Sequence, residues 1–209
     1  MSSSNAHASA AKRRTYRLGR RAEKLEETRL RIVEAAVDLH SSLGPAQTTV
    51  SQIAERAGVQ RHTFYAHFPD ERSLFLACSG LAMERDPLPD VERWRELPAG
   101  RERVAEALAQ LYGWYRRNAG QAACVLRDAE HHALTREMVE LRMKPTFERG
   151  AELLAEGLPE RARSLLAVAL DFACWRNLTV AHDPAGAAAL MADALLGLPA
   201  EGEGTSPPG

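Results

Sequence analysis

The feature that most constrains the fold is the stretch TTVSQIAERAGVQRHTFYAHF, residues 48–68. Apolar residues recur in its first half at the spacing of one helix face, at Val50, Ile53, Ala54 and Ala57. Thr49 precedes them and Gln52 follows three residues later, which is the pattern of a capping box worth about 1 kcal/mol. Gly58 ends this helix, and a second short helix is predicted over residues 61–68.

Two short helices joined by a turn of about three residues predict a helix-turn-helix over residues 49–68. In the second helix Phe64 and Phe68 are four residues apart and can both pack inward. The side chains left outward are polar and can meet phosphates or base edges: Gln60, Arg61, His62, Thr63, Tyr65 and His67. Because the second helix of such a motif lies in the major groove, the expected partner is double-stranded DNA.

Helical spacing recurs along most of the chain, and strand signals are nearly absent. The prediction is an all-α protein of about nine helices, divided at the proline-rich segment 86–100. Pro145 should kink or divide a helix at 135–156, and one further helix is expected at 159–181. The predicted domains are a disordered basic arm at 1–22, a DNA-binding domain at 23–80, a larger helical ligand-binding and dimerisation domain at 81–198, and a disordered tail at 199–209.

The charge is divided unevenly, although the whole chain carries a net charge of −1. Residues 1–80 hold 12 lysines and arginines against 8 acidic residues, and the remainder has an acidic excess. A basic half indicates a polyanionic partner, but it also suits a basic tail that only aids solubility. Arg13, Arg14 and Arg17 could enter a minor groove or act as a non-specific tail.

Three cysteines without a CxxC pair argue against a disulfide framework and a zinc site. No apolar run is long enough for a signal peptide or a membrane span. The sequence therefore predicts a cytoplasmic protein with no membrane partner, no metal and no cofactor.

The order and spacing of several residues resemble the DNA-binding domain of the TetR family of transcriptional regulators over about residues 29–76. They are Ile32 and Val33, Ala35 and Ala36, Gly44, Thr48 to Val50, Ile53 and Ala54, Ala57 to Val59, Thr63 to Tyr65, His67 and Phe68, and Leu74. The resemblance implies a homodimer on a palindromic operator, usually a repressor released by a small-molecule ligand. The C-terminal part resembles the family in layout only.

The resemblance also assigns DNA contacts. It makes Thr49, Thr63, Tyr65 and His67 phosphate contacts and Gln60, Arg61 and His62 base readers. Three residues depart from the pattern. His40 replaces a usual Phe, Gln60 replaces a common capping Ser, and Glu71 replaces a phosphate-contacting Lys for which the neighbouring Arg72 could substitute.

Two further sets of residues are candidates in the C-terminal part. Aromatic and polar side chains could line a ligand pocket, namely Tyr112, Trp114, Arg127, His131 and Trp175. Apolar residues at helical spacing could form a dimer bundle or an internal core, namely Leu165, Val168, Phe172, Leu190 and Leu195. His131, His132 and Cys124 raise a metal sensor as a minor alternative.

Other functions remain open at this point. The same fold could serve a transcriptional activator, and a non-specific DNA-binding or adaptor protein would carry the same charge pattern. No nucleophile elbow, phosphate loop or HExxH motif is present, so an enzyme is not expected.

Overall fold

The computed structural model describes the backbone of residues 3–197 and the side chains from residue 19 onward, and the secondary structure of this part is entirely helical. The all-α prediction is confirmed. The helices are α1 (Ser3–Ser42), α2 (Val50–Ala57), α3 (Arg61–His67), α4 (Glu71–Arg85), α5 (Arg101–Arg117), α6 (Ala119–Ala129), α7 (Ala133–Arg142), α8 (Lys144–Ala155), α9 (Glu160–Arg163), α10 (Leu166–Ala169), α11 (Phe172–Leu178) and α12 (Pro184–Leu196), with 3-10 turns at Pro45–Gln47 and Val91–Glu96.

The N-terminal unit consists of α1 to α4 around one apolar core. Ile32 and Ala36 of α1 are fully buried, and Ile53 of α2 and Phe64 of α3 pack in the same cluster. The capping box predicted for α2 is present, since the Thr49 side chain accepts a hydrogen bond from the amide of Gln52 and the Gln52 side chain accepts one from the Thr49 amide.

Gly58 shapes the turn between α2 and α3. It has a φ of 65°, in the left-handed region that glycine enters at least cost, and it caps the C-terminus of α2. The backbone can therefore reverse within three residues, which places α3 across α2.

The structure corrects the prediction of a disordered arm at residues 1–22, because α1 already begins at Ser3. The segment is rich in alanine, lysine and arginine and contains no proline, so its helix propensity is high. The predicted tail at 199–209 lies outside the described residues.

The C-terminal unit is organised around α5, which packs along α12. Tyr112, Trp114 and Tyr115 of α5 are buried in its core. Arg103 is also buried, at 6% exposure, and its guanidinium donates to Glu156 Oε2 at 2.6 Å and to the Leu97 carbonyl at 2.8 Å. This buried arginine is fully engaged, as a buried charge must be.

Two long predicted helices are divided. Pro145 lies in the first turn of α8, so the division expected within 135–156 is confirmed. The single helix expected at 159–181 is wrong, because the segment forms α9, α10 and α11. At Asp171 the backbone becomes extended and the carboxylate accepts hydrogen bonds from the amides of Ala173 and Cys174, so that Asp171 starts α11 as a new helix.

Candidate nucleic-acid interface

Two phenylalanines hold α3 against the N-terminal core. Phe64 is 2% exposed and Phe68 is fully buried, with ring centroids 6.0 Å apart. Arg29 of α1 places its guanidinium 4.3 Å from the Phe68 ring centroid and donates to the His67 carbonyl at 3.3 Å. The C-terminal end of α3 is thus fixed to α1, and the helix is a rigid element.

The opposite face of α3 is exposed. Gln60, Arg61, His62 and Tyr65 are exposed, while Thr63 and His67 are half-buried. No side-chain hydrogen bond or ion pair of Arg61 is present within the described part of the chain, and His62 Nε2 lies 3.3 Å from Thr63 Oγ1. The structure therefore brings six of the eight predicted contact residues together on α3 and its N-cap, and leaves the Arg61 guanidinium available.

Thr49 and Arg72, the other two predicted contacts, lie outside α3. Thr49 is exposed at the N-terminus of α2, where its hydroxyl donates to Gln52 Oε1 at 2.8 Å. Arg72 already has an acidic partner, because its Nη2 atom is 2.6 Å from Glu137 Oε1 on α7. A phosphate would have to compete with this carboxylate for Arg72. Nothing in the sequence around Glu137 indicates this ion pair.

A buried carboxylate joins α6 to the turn that precedes α2. Asp128 is 1% exposed and accepts hydrogen bonds from the Ala46 amide at 2.9 Å and from Arg127 Nε at 2.8 Å. Arg127 in turn donates to the Leu43 carbonyl at 3.1 Å. At Gly44, where φ is 102°, a Cβ atom would collide with both side chains.

Burial alone would raise the pKa of Asp128, but the hydrogen bonds from Arg127 and Ala46 outweigh it and lower the pKa below its ordinary value. Asp128 is therefore charged at neutral pH. The contact between α6 and this turn is a charge-assisted one, which sequence reasoning missed because the partners are more than 80 residues apart in the chain.

We expect Asp128→Ala to destabilise the protein by about 2 kcal/mol, because the Ala46 amide loses a charged acceptor. Urea unfolding followed by circular dichroism measures this. Asp38→Ala is the matched control, since Asp38 pairs with Arg56 at the surface and its loss should cost less than about 1 kcal/mol. Equal losses in the two variants would contradict the role given to Asp128.

The predicted ligand-binding residues do not line one cavity. The Tyr112 hydroxyl donates to the Ala169 carbonyl at 2.8 Å, and Trp114 Nε1 donates to the Asp86 carbonyl at 3.0 Å. Trp175 packs in the same core, whereas Arg127 holds the turn before α2 and His131 is exposed. The prediction grouped residues by type, but helix packing directs their side chains to different places.

The predicted dimer residues divide into two groups. Leu165, Val168 and Leu190 are 43%, 52% and 46% exposed, so their side chains face solvent in the single chain. Phe172 and Leu195 are 6% and 1% exposed and belong to the core of the same chain, which corrects their assignment.

The geometry of α2, α3 and their turn is that of a helix-turn-helix DNA-binding unit. Residues 32–78 match the family model described as bacterial regulatory proteins of the tetR family. The HTH-type transcriptional regulator SrpR of Pseudomonas putida is 39% identical over 67 residues, which is 32% of this chain and 30% of SrpR. The HTH-type transcriptional regulator TtgR, also of Pseudomonas putida, is 44% identical over 55 residues, 26% of each chain.

The fold of the rest of the chain also has a counterpart. The transcriptional regulator FadR from Bacillus subtilis, solved in complex with stearoyl-CoA, superposes with a TM-score of 0.57 at 20% identity, over 80% of this chain and 97% of FadR. The sequence matches span less than a third of the length of SrpR and of TtgR. The resemblance to the TetR family is confirmed for the DNA-binding unit, where the family model matches, and the chain as a whole shares the fold of FadR.

Among the described residues, no helix has the length and apolar character that a membrane span requires. The same residues contain no group of three or more histidine, cysteine or acidic residues placed to hold a metal ion. His132 caps α7, where its Nδ1 atom accepts a hydrogen bond from the Thr135 amide.

Proposed function

We propose that this protein is a sequence-specific, DNA-binding transcriptional regulator that acts in the cytoplasm. The observation that supports this most is the exposed face of α3, which carries Gln60, Arg61, His62 and Tyr65. Phe64 and Phe68 fix the opposite face of the helix in the core. A rigid helix with free donors on one face suits the major groove, whose base edges carry distinct donor and acceptor patterns. SrpR and TtgR, which resemble this unit, are transcriptional regulators.

We further propose that the regulator is a homodimer and a repressor. A two-fold dimer reads two half-sites about 34 Å apart, or slightly more, so the operator is expected to be palindromic. The exposed Leu165, Val168 and Leu190 supply apolar surface that a partner copy would cover. Sedimentation equilibrium at micromolar concentration should give a dimer, and Val168→Asp should shift it toward monomer. Val180→Asp, at an 87% exposed valine between α11 and α12, should not. A wild-type monomer would contradict the dimer.

The repressor is expected to leave its operator when a small molecule binds. Gel-shift assays with an operator selected from random DNA, followed by a compound screen for release, test this. Transcription from the selected operator that rises when the protein is added would favour an activator over a repressor.

Arg61→Ala should cost about 1–3 kcal/mol of operator affinity and relax base preference at one or two positions, because an arginine reads guanine through two hydrogen bonds. Tyr65→Phe should weaken binding to all sequences alike, since a phosphate contact carries no base information. Both positions are exposed, so folding should be unaffected. Affinities over a randomised operator library measure the difference, and a uniform loss for Arg61→Ala would remove it from the base readers.

A further inference from the structure

An apolar cavity lies where the N-terminal unit meets the C-terminal unit, between α1, α4, α6 and α7. We name it the junction cavity; its volume is about 70 Å³. Phe75 and Met83 of α4 and Met138 of α7 form much of its wall, with His40 of α1 at one side. It is therefore bounded by helices of both units.

The groups around this cavity are uncharged or already engaged. Burial, with a smaller effect of His132, lowers the pKa of His40 to about 4, and burial raises the pKa of the Cys78 thiol to about 12. Both are neutral at pH 7. Arg142 donates to Ser79 Oγ at 3.3 Å and to the Leu76 carbonyl at 3.1 Å, so its guanidinium already has partners.

Gln121 of α6 is the exception among the polar side chains of the wall. Within the described residues its amide makes no hydrogen bond, whereas Thr135 is paired with His132 Nδ1 at 2.8 Å and Ser79 with Arg142. A partly enclosed apolar space with one half-buried amide in its wall suits a molecule that is mostly hydrocarbon with one polar atom.

The cavity is small but its wall can move. Its volume is about half that of an engineered 150 Å³ protein cavity that binds benzene. Met83, Met138 and Met143 line it, and methionine side chains are unbranched and have three rotatable bonds. A six-membered ring is larger than the cavity as it stands, so its binding requires one of these side chains to rotate.

We propose that the junction cavity binds a small, uncharged, largely apolar molecule with one hydrogen-bonding atom directed at Gln121, and that this molecule is the effector. The assignment of this molecule as the effector rests on the proposed function of a ligand-released regulator. The cavity lies between α4, which follows α3 directly, and α6 and α7, so a molecule bound there would change the packing between the two units.

Phenol is a suitable probe for the full-length protein, with benzene and benzoate for comparison. The chain has five methionines, and the three at the cavity can be followed by ¹³C-methyl NMR, with Met191 of α12 as internal control. Phenol should shift the Met83 and Met138 methyl signals and leave Met191 unchanged, whereas benzoate should shift none because its charge cannot be buried.

Two variants and one control sharpen the test. Ala82→Leu fills the cavity and should abolish the phenol shifts, and Ala167→Leu, in a neighbouring groove beside α8, should not. Gln121→Leu should weaken phenol about fivefold and leave benzene binding unchanged, which tests the polar contact even if Ala82→Leu fails to fold.

Either of two NMR results would contradict the proposed binding site. Met143 lines both the junction cavity and the neighbouring groove, so a shift of Met143 alone would place the ligand in that groove. Absence of any methyl shift at saturating phenol would also refute the cavity. Operator affinity is measured separately with and without phenol. Phenol binding in the cavity without release of DNA would refute the effector role but not the binding site. If the protein without phenol does not bind DNA specifically, the proposed function itself is refuted.

Discussion

Phe64→Ala should destabilise the protein by about 3–5 kcal/mol and remove operator binding at physiological temperature. The ring is 2% exposed and packs against Phe68, with contact to the α1 and α2 side chains of the same core. Truncation removes the transfer free energy of the ring and leaves a cavity under α3, and both effects act in the same direction. Thermal unfolding and a gel shift on the same preparation measure the two consequences.

Tyr65→Ala is the control for this change. Tyr65 follows Phe64 in the sequence but is 46% exposed. Its ring meets that of Phe64 edge to face, with 5.4 Å between the ring centroids. We expect it to lose less than about 1 kcal/mol of stability and yet to weaken DNA binding. If Tyr65→Ala were as unstable as Phe64→Ala, the division of α3 into an anchored face and a contact face would be wrong.

His40→Phe should remove much of the fall in stability that we expect for the wild-type protein between pH 6.5 and pH 4. His40 is 6% exposed, its ring is 5.1 Å from that of Phe75, and its Nδ1 atom is 3.6 Å from Cys78 Sγ. Burial lowers its pKa to about 4, and His132 adds to the effect while Asp128 opposes it.

The direction follows from proton binding. An unfolded histidine takes up a proton near pH 6.5, so between about pH 6.5 and 4 the unfolded state binds more protons than the folded one. Stability is full above about pH 6.5 and falls as the pH is lowered to 4, by on the order of 3 kcal/mol. Asp128 has a lowered pKa, so its contribution disappears only at more acidic pH, as the pH falls through its folded value.

Urea unfolding at several pH values measures this difference, and His131→Gln provides a control at an exposed histidine. We expect His40→Phe to give a flatter profile above pH 4 and the control to follow the wild type. Identical slopes for all three proteins would show that His40 is not the group that titrates.

Local signals predicted the DNA-binding unit well. The capping box of Thr49 and Gln52, the stop at Gly58 and the inward pair Phe64 and Phe68 each depend on neighbours within a few residues, and each is present. The same reasoning failed at 159–181, because apolar spacing continues through Asp171 whereas its carboxylate starts a new helix.

Contacts between distant helices could not be predicted from local patterns. Asp128 and Ala46 are separated by 82 residues, and Arg72 and Glu137 by 65. Composition suggested a ligand pocket around Tyr112 and similar aromatics, but the Tyr112 hydroxyl and the Trp114 indole N–H donate to backbone carbonyls in the core. Which buried ring faces a cavity depends on how each helix is turned about its own axis. Local sequence patterns do not specify this orientation.

The most direct test of the central claim is the ratio of specific to non-specific DNA affinity at one fixed salt concentration. An operator is selected from random duplexes, and fluorescence anisotropy then compares it with a scrambled duplex of equal length and composition. A sequence-specific regulator should prefer the operator by about 10³-fold or more. Equal affinities for both duplexes, each falling steeply with salt, would show binding through phosphates alone and would contradict the account.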